Sequence, residues 1–92
     1  MNTVYLQLGS NLGDRNLLIT RALELINNHI GKILQCSKIY ESTPWRVDGQ
    51  NKYLNQVVEL KTNLTADDIL SQIQNIEKKL GRVRVEKWGE RL

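Results

Sequence analysis

Apolar and polar residues alternate from Thr3 to Leu8, with Val4, Leu6 and Leu8 on one side and Tyr5 and Gln7 on the other. That alternation predicts a strand with one buried face. Gly9 to Gly13 reads as a turn, and Asp14 as the cap of a helix running to about His29, with Leu18, Ala22, Leu25 and Ile26 as its apolar stripe. Gly31 stands where a helix C-terminus favours a left-handed residue. Ile33 to Glu41 predicts a second strand, although its alternation is imperfect. Ser42 to Lys52 is a polar loop holding the sole proline, Pro44. Tyr53 to Thr62 predicts a third strand, with Leu54, Val58 and Leu60 on its core face and Tyr53, Asn55 and Val57 on the other. Thr65 and Asp68 form a T-x-x-D capping box, with Leu64 and Ile69 as its apolar staple. The helix they open carries Ile69, Ile73, Ile76 and Leu80 on one stripe and ends at Gly81.

The order strand, helix, strand, strand, helix predicts an α+β fold: a ferredoxin-like antiparallel sheet with two helices on one face, built as βαββα. One further strand would complete the pattern, and the chain is expected to stop where that strand should begin. Residues 1–92 then form a single domain truncated at its C-terminus. The missing strand would leave a sheet edge open to self-association and the fold marginal in isolation.

Composition adds a charge asymmetry. The net charge is +3, but Lys78 to Leu92 holds six basic residues against two acidic ones, a local +4 that leaves −1 on residues 1–77. A basic end on a near-neutral body points to an anionic partner such as phosphate or nucleic acid. A chain of 92 residues buries only about 60–65% of its unfolded surface. No apolar run approaches the roughly 18 residues of a membrane span, and the N-terminus lacks the pattern of a signal peptide. The sole cysteine, Cys36, excludes an intrachain disulfide, and a cytoplasmic location is expected.

Few side chains have the spacing of a reaction centre. His29 reads as a helix-end cation, and Cys36 as a buried structural thiol. No Cys/His cluster has metal-ligand spacing, so no metal ligand is assigned. The Gly9 to Asp14 turn lacks the Lys and Ser/Thr of a P-loop and reads as structural. Gln74 and Glu77 share a helix face and can read a base edge or ribose hydroxyls. Arg82 and Arg84 project to one side of an extended segment, and Arg91 follows beyond Trp88. Guanidinium forks match phosphate oxygens, and Trp88 offers a stacking face. Tyr53 and Asn55 put an aromatic and an amide on one strand face, suited to a heteroaromatic ring with mixed edges.

Together LQLGSNLGDR (Leu6 to Arg15), YESTPW (Tyr40 to Trp45), YLNQVV (Tyr53 to Val58), the Q-x-x-E pair and GRVRVEKWGER resemble the 6-hydroxymethyl-7,8-dihydropterin pyrophosphokinases over essentially the whole chain. The resemblance implies transfer of the β,γ-pyrophosphoryl group of ATP to the hydroxymethyl oxygen of the pterin, releasing AMP, in folate biosynthesis. It implies pterin contacts from Ser42, Thr43, Trp45, Tyr53, Asn55 and Trp88. It also implies nucleotide contacts from Gln74, Glu77, Arg82, Arg84, Trp88 and Arg91, with Arg82 and Arg91 as the catalytic arginines. The loop from Arg46 to Gln50 matches a segment that closes over substrate. Implied partners are ATP and a hydroxymethyl-dihydropterin, with no nucleic acid and no membrane. Magnesium is the implied cofactor, held by a D-x-D pair that the family places after W-G-x-R, beyond Leu92. A non-catalytic ATP- or pterin-binding relative is an alternative. An RNA-binding ferredoxin-like module fits less well, because the chain has no Phe and no RNP-like aromatic pattern.

Lacking that pair, the 92-residue chain is expected to be inactive, since metal neutralisation is worth several kcal/mol in such transition states. Robust AMP formation from ATP, hydroxymethyl-dihydropterin and magnesium, by a preparation verified by intact mass, would overturn that expectation.

Overall fold

A computed structural model describes residues 2–10, 14–42, 53–81 and 83–91. The elements run β1 (Asn2–Ser10), α1 (Arg15–His29), β2 (Lys32–Cys36), β3 (Tyr40–Ser42), β4 (Tyr53–Thr62), α2 (Ala66–Leu80) and β5 (Val83–Arg91). The antiparallel sheet has the order β2-β4-β1-β5, with β3 also paired to β4. Both helices pack on the face carrying Val4, Leu6, Leu8, Val58, Leu60, Val83 and Val85, all buried. This is the α+β arrangement that the alternation and helix stripes anticipate.

The last strand is present, against expectation. Val83–Arg91 lies antiparallel to β1 and fills the position beside it. Its alternation explains why: Val83 and Val85 join the core, opposite Ser10 and Leu8, while Arg84 and Glu86 face away from it. Val83–Arg91, within the segment read as extended, is the final strand, and the β1 edge is covered.

The expected strand from Ile33 to Glu41 is broken in two. Ser37 donates its backbone N–H to the Val57 carbonyl at 2.8 Å. Its hydroxyl accepts from the Val57 N–H at 2.9 Å and donates to the Lys38 carbonyl at 2.9 Å. Gln56 Nε2 then donates to the Ser37 carbonyl at 2.8 Å. One serine thus takes up both ladder groups of Val57. The pairing resumes at Tyr40 opposite Asn55, with one residue more on this side than on β4.

Both N-caps form as the sequence indicates. Asp14 accepts from the Leu17 N–H at 3.1 Å, and Thr65 from the Asp68 N–H at 3.2 Å. In α2, Ile69, Ile73 and Ile76 are buried and Leu80 packs against the core. In α1 the stripe is rotated by about one residue from the expected one. Ile19, Ala22, Ile26 and Ile30 are buried, while Leu18 and Leu25 pack at its margin. Both sets have helical spacing, so only docking on the sheet separates them.

Gly81 closes α2 in a left-handed conformation, φ 78°. Gly31 does not. Among the described glycines Gly81 alone has positive φ, and α1 ends with the Ile30 and Gly31 N–H groups sharing the Ile26 carbonyl. Gly31 instead answers a close approach: a Cβ there would stand 2.2 Å from the Lys61 carbonyl oxygen and 2.8 Å from Thr62 Cβ. Buried Thr62 secures the same junction. Its hydroxyl donates to the Ile30 carbonyl and accepts from the Leu64 N–H. Gly31→Ala is therefore expected to destabilise the fold by about 2–3 kcal/mol, because the obstruction is backbone rather than a movable side-chain end. Urea denaturation would measure the loss.

Candidate functional site

The sheet face away from the helices carries a row of chemically useful residues at one end. The register sets Arg84 opposite Gly9, Gly9 opposite Asn55, and Asn55 opposite Tyr40. Asn55 is buried and donates from Nδ2 to the Tyr40 carbonyl at 3.5 Å. In the adjoining row Gln7 Nε2 donates to the Tyr40 hydroxyl at 3.1 Å. Gly9, at the centre, is buried and contributes no side chain to the row.

Arg84 is well exposed, and its Nε lies 3.2 Å from Glu86 Oε1. Such an exposed pair contributes little stability and is readily exchanged for another anion. Glu86 was not singled out from the sequence, although two residues along a strand share a side and the spacing carried the signal.

Glu77 is half-buried and already engaged. Its carboxylate accepts the Val85 N–H at 3.0 Å, tying α2 to β5. Gln74, three residues before it, is exposed on the same helix. Ser42 ends β3 opposite Tyr53, the first residue of β4, beside Asn55 in the pterin set implied by the resemblance. Trp88 is the extra residue where β5 shifts register between Lys87 and Gly89. Arg91 pairs with Thr3, six residues from Gly9 along β1. At about 3.3 Å per residue this puts Arg91 roughly 20 Å from Arg84. Thr43, Trp45 and Arg82 lie outside the described residues, as do the Gly9–Asp14 turn from Asn11 to Gly13 and the loop from Arg46 to Gln50.

Farther down the same face, Tyr5 donates to Glu59 Oε2 at 2.8 Å, and Gln35 Nε2 to Glu59 Oε1 at 2.7 Å. These residues, with Cys36, Ser37 and Val57, line a shallow hollow of about 310 Å³. Cys36 is exposed rather than buried as expected, because β2 lies at the outer margin of the sheet, where α1 alone of the two helices packs against it. His29 is exposed in the last turn of α1, the helix-end position expected of it. Among the described residues no group of three or more His, Cys, Asp or Glu could hold a metal ion. Nor is any helix there long and apolar enough to cross a membrane.

Partial desolvation pushes the Cys36 thiol up from its ordinary value. At neutral pH less of it is thiolate than in an unstructured peptide. Its alkylation is expected to be slower than that of such a peptide, rising about tenfold per pH unit below its pKa. Labelling rates across a pH series would check both points.

The family model for 7,8-dihydro-6-hydroxymethylpterin-pyrophosphokinase (HPPK) matches residues 5–92. The 2-amino-4-hydroxy-6-hydroxymethyldihydropteridine pyrophosphokinase of Porphyromonas gingivalis is 44% identical over 89 residues, which cover 97% of this chain and 60% of that protein. The enzyme of the same name from Aquifex aeolicus is 42% identical over 91 residues, 99% of this chain and 56% of that protein. The chain thus spans less than two thirds of the length of these relatives. The crystal structure of wild-type Plasmodium falciparum HPPK-DHPS superposes with a TM-score of 0.81 at 16% identity, covering 97% of this chain and 29% of that one, a likeness of fold.

Proposed function

The chain belongs to the 7,8-dihydro-6-hydroxymethylpterin-pyrophosphokinase family, and on that premise we propose that it serves the transfer of pyrophosphate from ATP to 6-hydroxymethyl-7,8-dihydropterin, as part of one such catalytic domain working in the cytoplasm. The observation that carries this reading is the row Arg84, Gly9, Asn55, Tyr40, which sets an exposed guanidinium and a buried amide on either side of a residue without a side chain.

A pterin ring presents donors and acceptors along one edge, and an amide both donates and accepts. Asn55 is the proposed anchor for that edge, with Ser42, Thr43, Trp45, Tyr53 and Trp88 as the other proposed pterin contacts. The proposed nucleotide set is Gln74, Arg82, Arg84, Trp88 and Arg91, with Arg82 and Arg91 closest to the reaction; Glu77, expected among these contacts, has its carboxylate on the Val85 N–H. Arg84 and Arg91 stand at opposite ends of β5, so they would reach different parts of the bound ligands. Pyrophosphoryl transfer needs little covalent help from a protein. It needs the hydroxymethyl oxygen in line with the β-phosphorus and the growing charge neutralised. Arginines supply fixed positive charge and forked donors for that purpose. Magnesium is the expected counter-charge in this family, and the described carboxylates do not converge on a metal position.

Calorimetric titration tests the reading. ATP and the dihydropterin should each bind saturably. Arg84→Ala should weaken ATP by about tenfold or more, since a hydrogen bond to a charged group is worth roughly 1.5–3 kcal/mol. Asn55→Ala should weaken the pterin and leave ATP bound. Absence of saturable binding of either ligand to the wild type would sink the reading. Glu86→Gln should tighten ATP by about two- to fivefold at low salt, because it frees Arg84 from a competing anion worth up to about 1 kcal/mol; unchanged affinity would show that the pair does not compete.

A further inference from the structure

The turn between α2 and β5 is held at both ends by one residue. The Glu77 carbonyl accepts the Gly81 N–H at 2.8 Å, which fixes the left-handed turn that stops the helix. The Glu77 carboxylate accepts the Val85 N–H at 3.0 Å. Among the described residues, Val83 and Arg84 lie between these anchors. Val83 is buried in the core, so the backbone just before Arg84 is held from below as well.

The Val85 bond has a particular place in the sheet. β5 is an outer strand, with β1 as its neighbour on one side. A backbone N–H on an outer strand with no strand beside it needs another acceptor or water. Glu77 supplies that acceptor from α2, and a carboxylate accepting from a backbone N–H makes a charge-assisted bond. Arg84 directly precedes Val85, so this bond limits how far the backbone of Arg84 can swing.

The geometry points to Glu77 as a positioning residue: it acts on the nucleotide through Arg84, whose neighbouring backbone it staples, rather than by touching the nucleotide. This deepens the proposed function and rests on it. Charge supports the distinction. A carboxylate aimed at phosphates would repel them, whereas one committed to a backbone N–H can order the neighbouring arginine while facing away from the ligand.

The test combines amide exchange with a double-mutant cycle on the whole chain. In ligand-free protein, hydrogen exchange at the Val85 amide should be faster in Glu77→Ala. It should return toward wild type in Glu77→Gln, whose amide oxygen can still accept. ATP affinity should fall about five- to tenfold in Glu77→Ala and be largely rescued in Glu77→Gln. In an Arg84→Ala background the same Glu77→Ala change should cost little more, because the arginine it orders is gone. Unchanged Val85 exchange, or fully additive losses across the cycle, would overturn the proposal. If Glu77→Ala does not fold, Glu77→Asp provides the same comparison, its acceptor withdrawn by one methylene. Wild-type protein that fails to bind ATP would defeat the functional reading instead, and Val85 exchange alone would then decide whether the staple exists.

Discussion

The antiparallel ladder between β1 and β4 is the constraint on which the remainder depends. It runs unbroken from Asn2 opposite Thr62 to Ser10 opposite Leu54. Side chains on a strand alternate between faces, so this one register puts Val4, Leu6, Leu8, Val58 and Leu60 together under the helices. The same register puts Tyr5, Gln7, Asn55 and Glu59 together on the opposite face. A slip of one residue would send the apolar set to the open face and the amides into the core, a change that no local adjustment could offset. The register is strongly specified because Val4, Leu6, Leu8, Val58 and Leu60 are completely buried.

From that ladder the helix connections follow. The chain leaves β1 at Ser10, passes through α1 and returns along β2, where Gly31 allows the backbone to come up against Lys61 and Thr62. Thr62 then links the end of α1 to the entry of α2 through one hydroxyl. Both helices are thereby placed on one face, and α2 delivers the chain to the free side of β1. The candidate site lies at the end of the sheet where β1 finishes, β4 begins and β5 begins. Three segments distant in sequence contribute to it because the register brings those strand ends together.

The site combines a stable floor with a labile charge. Asn55 is held in the sheet with both neighbouring strands paired. Arg84 is exposed and held by Glu86 in solvent, where screening keeps the pair weak. That division suits a ligand with a ring that must be read by its edge and phosphates that must be gripped and released. The proposed Glu77 staple would add order to the arginine side without adding charge at the phosphates.

Much of this was legible in the sequence, because alternation, helical stripes and caps are local signals. The strand at Val4, Leu6 and Leu8, both N-caps, the apolar stripe of α2 and the Gly81 stop all follow from residues within a few positions of one another. The motifs that carry the family resemblance were equally local. Tertiary structure alone decided matters that turn on what lies across a gap. Gly31 reads as a helix stop, but Lys61 and Thr62, thirty residues away, are what require it to be glycine. Ile33 to Glu41 reads as one strand, but the Ser37 hydroxyl, bonded across to Val57, divides it. Val83 to Arg91 reads as part of an extended anion-binding segment, and only the place beside β1 makes it a strand, with Val83 and Val85 in the core and Arg84 on the site face. The sequence by itself determined which segments could be strands and which residues could bind anions and rings. The fold decided which of those potentials are realised together, because pairing partners, close approaches and shared faces are properties of two segments at once.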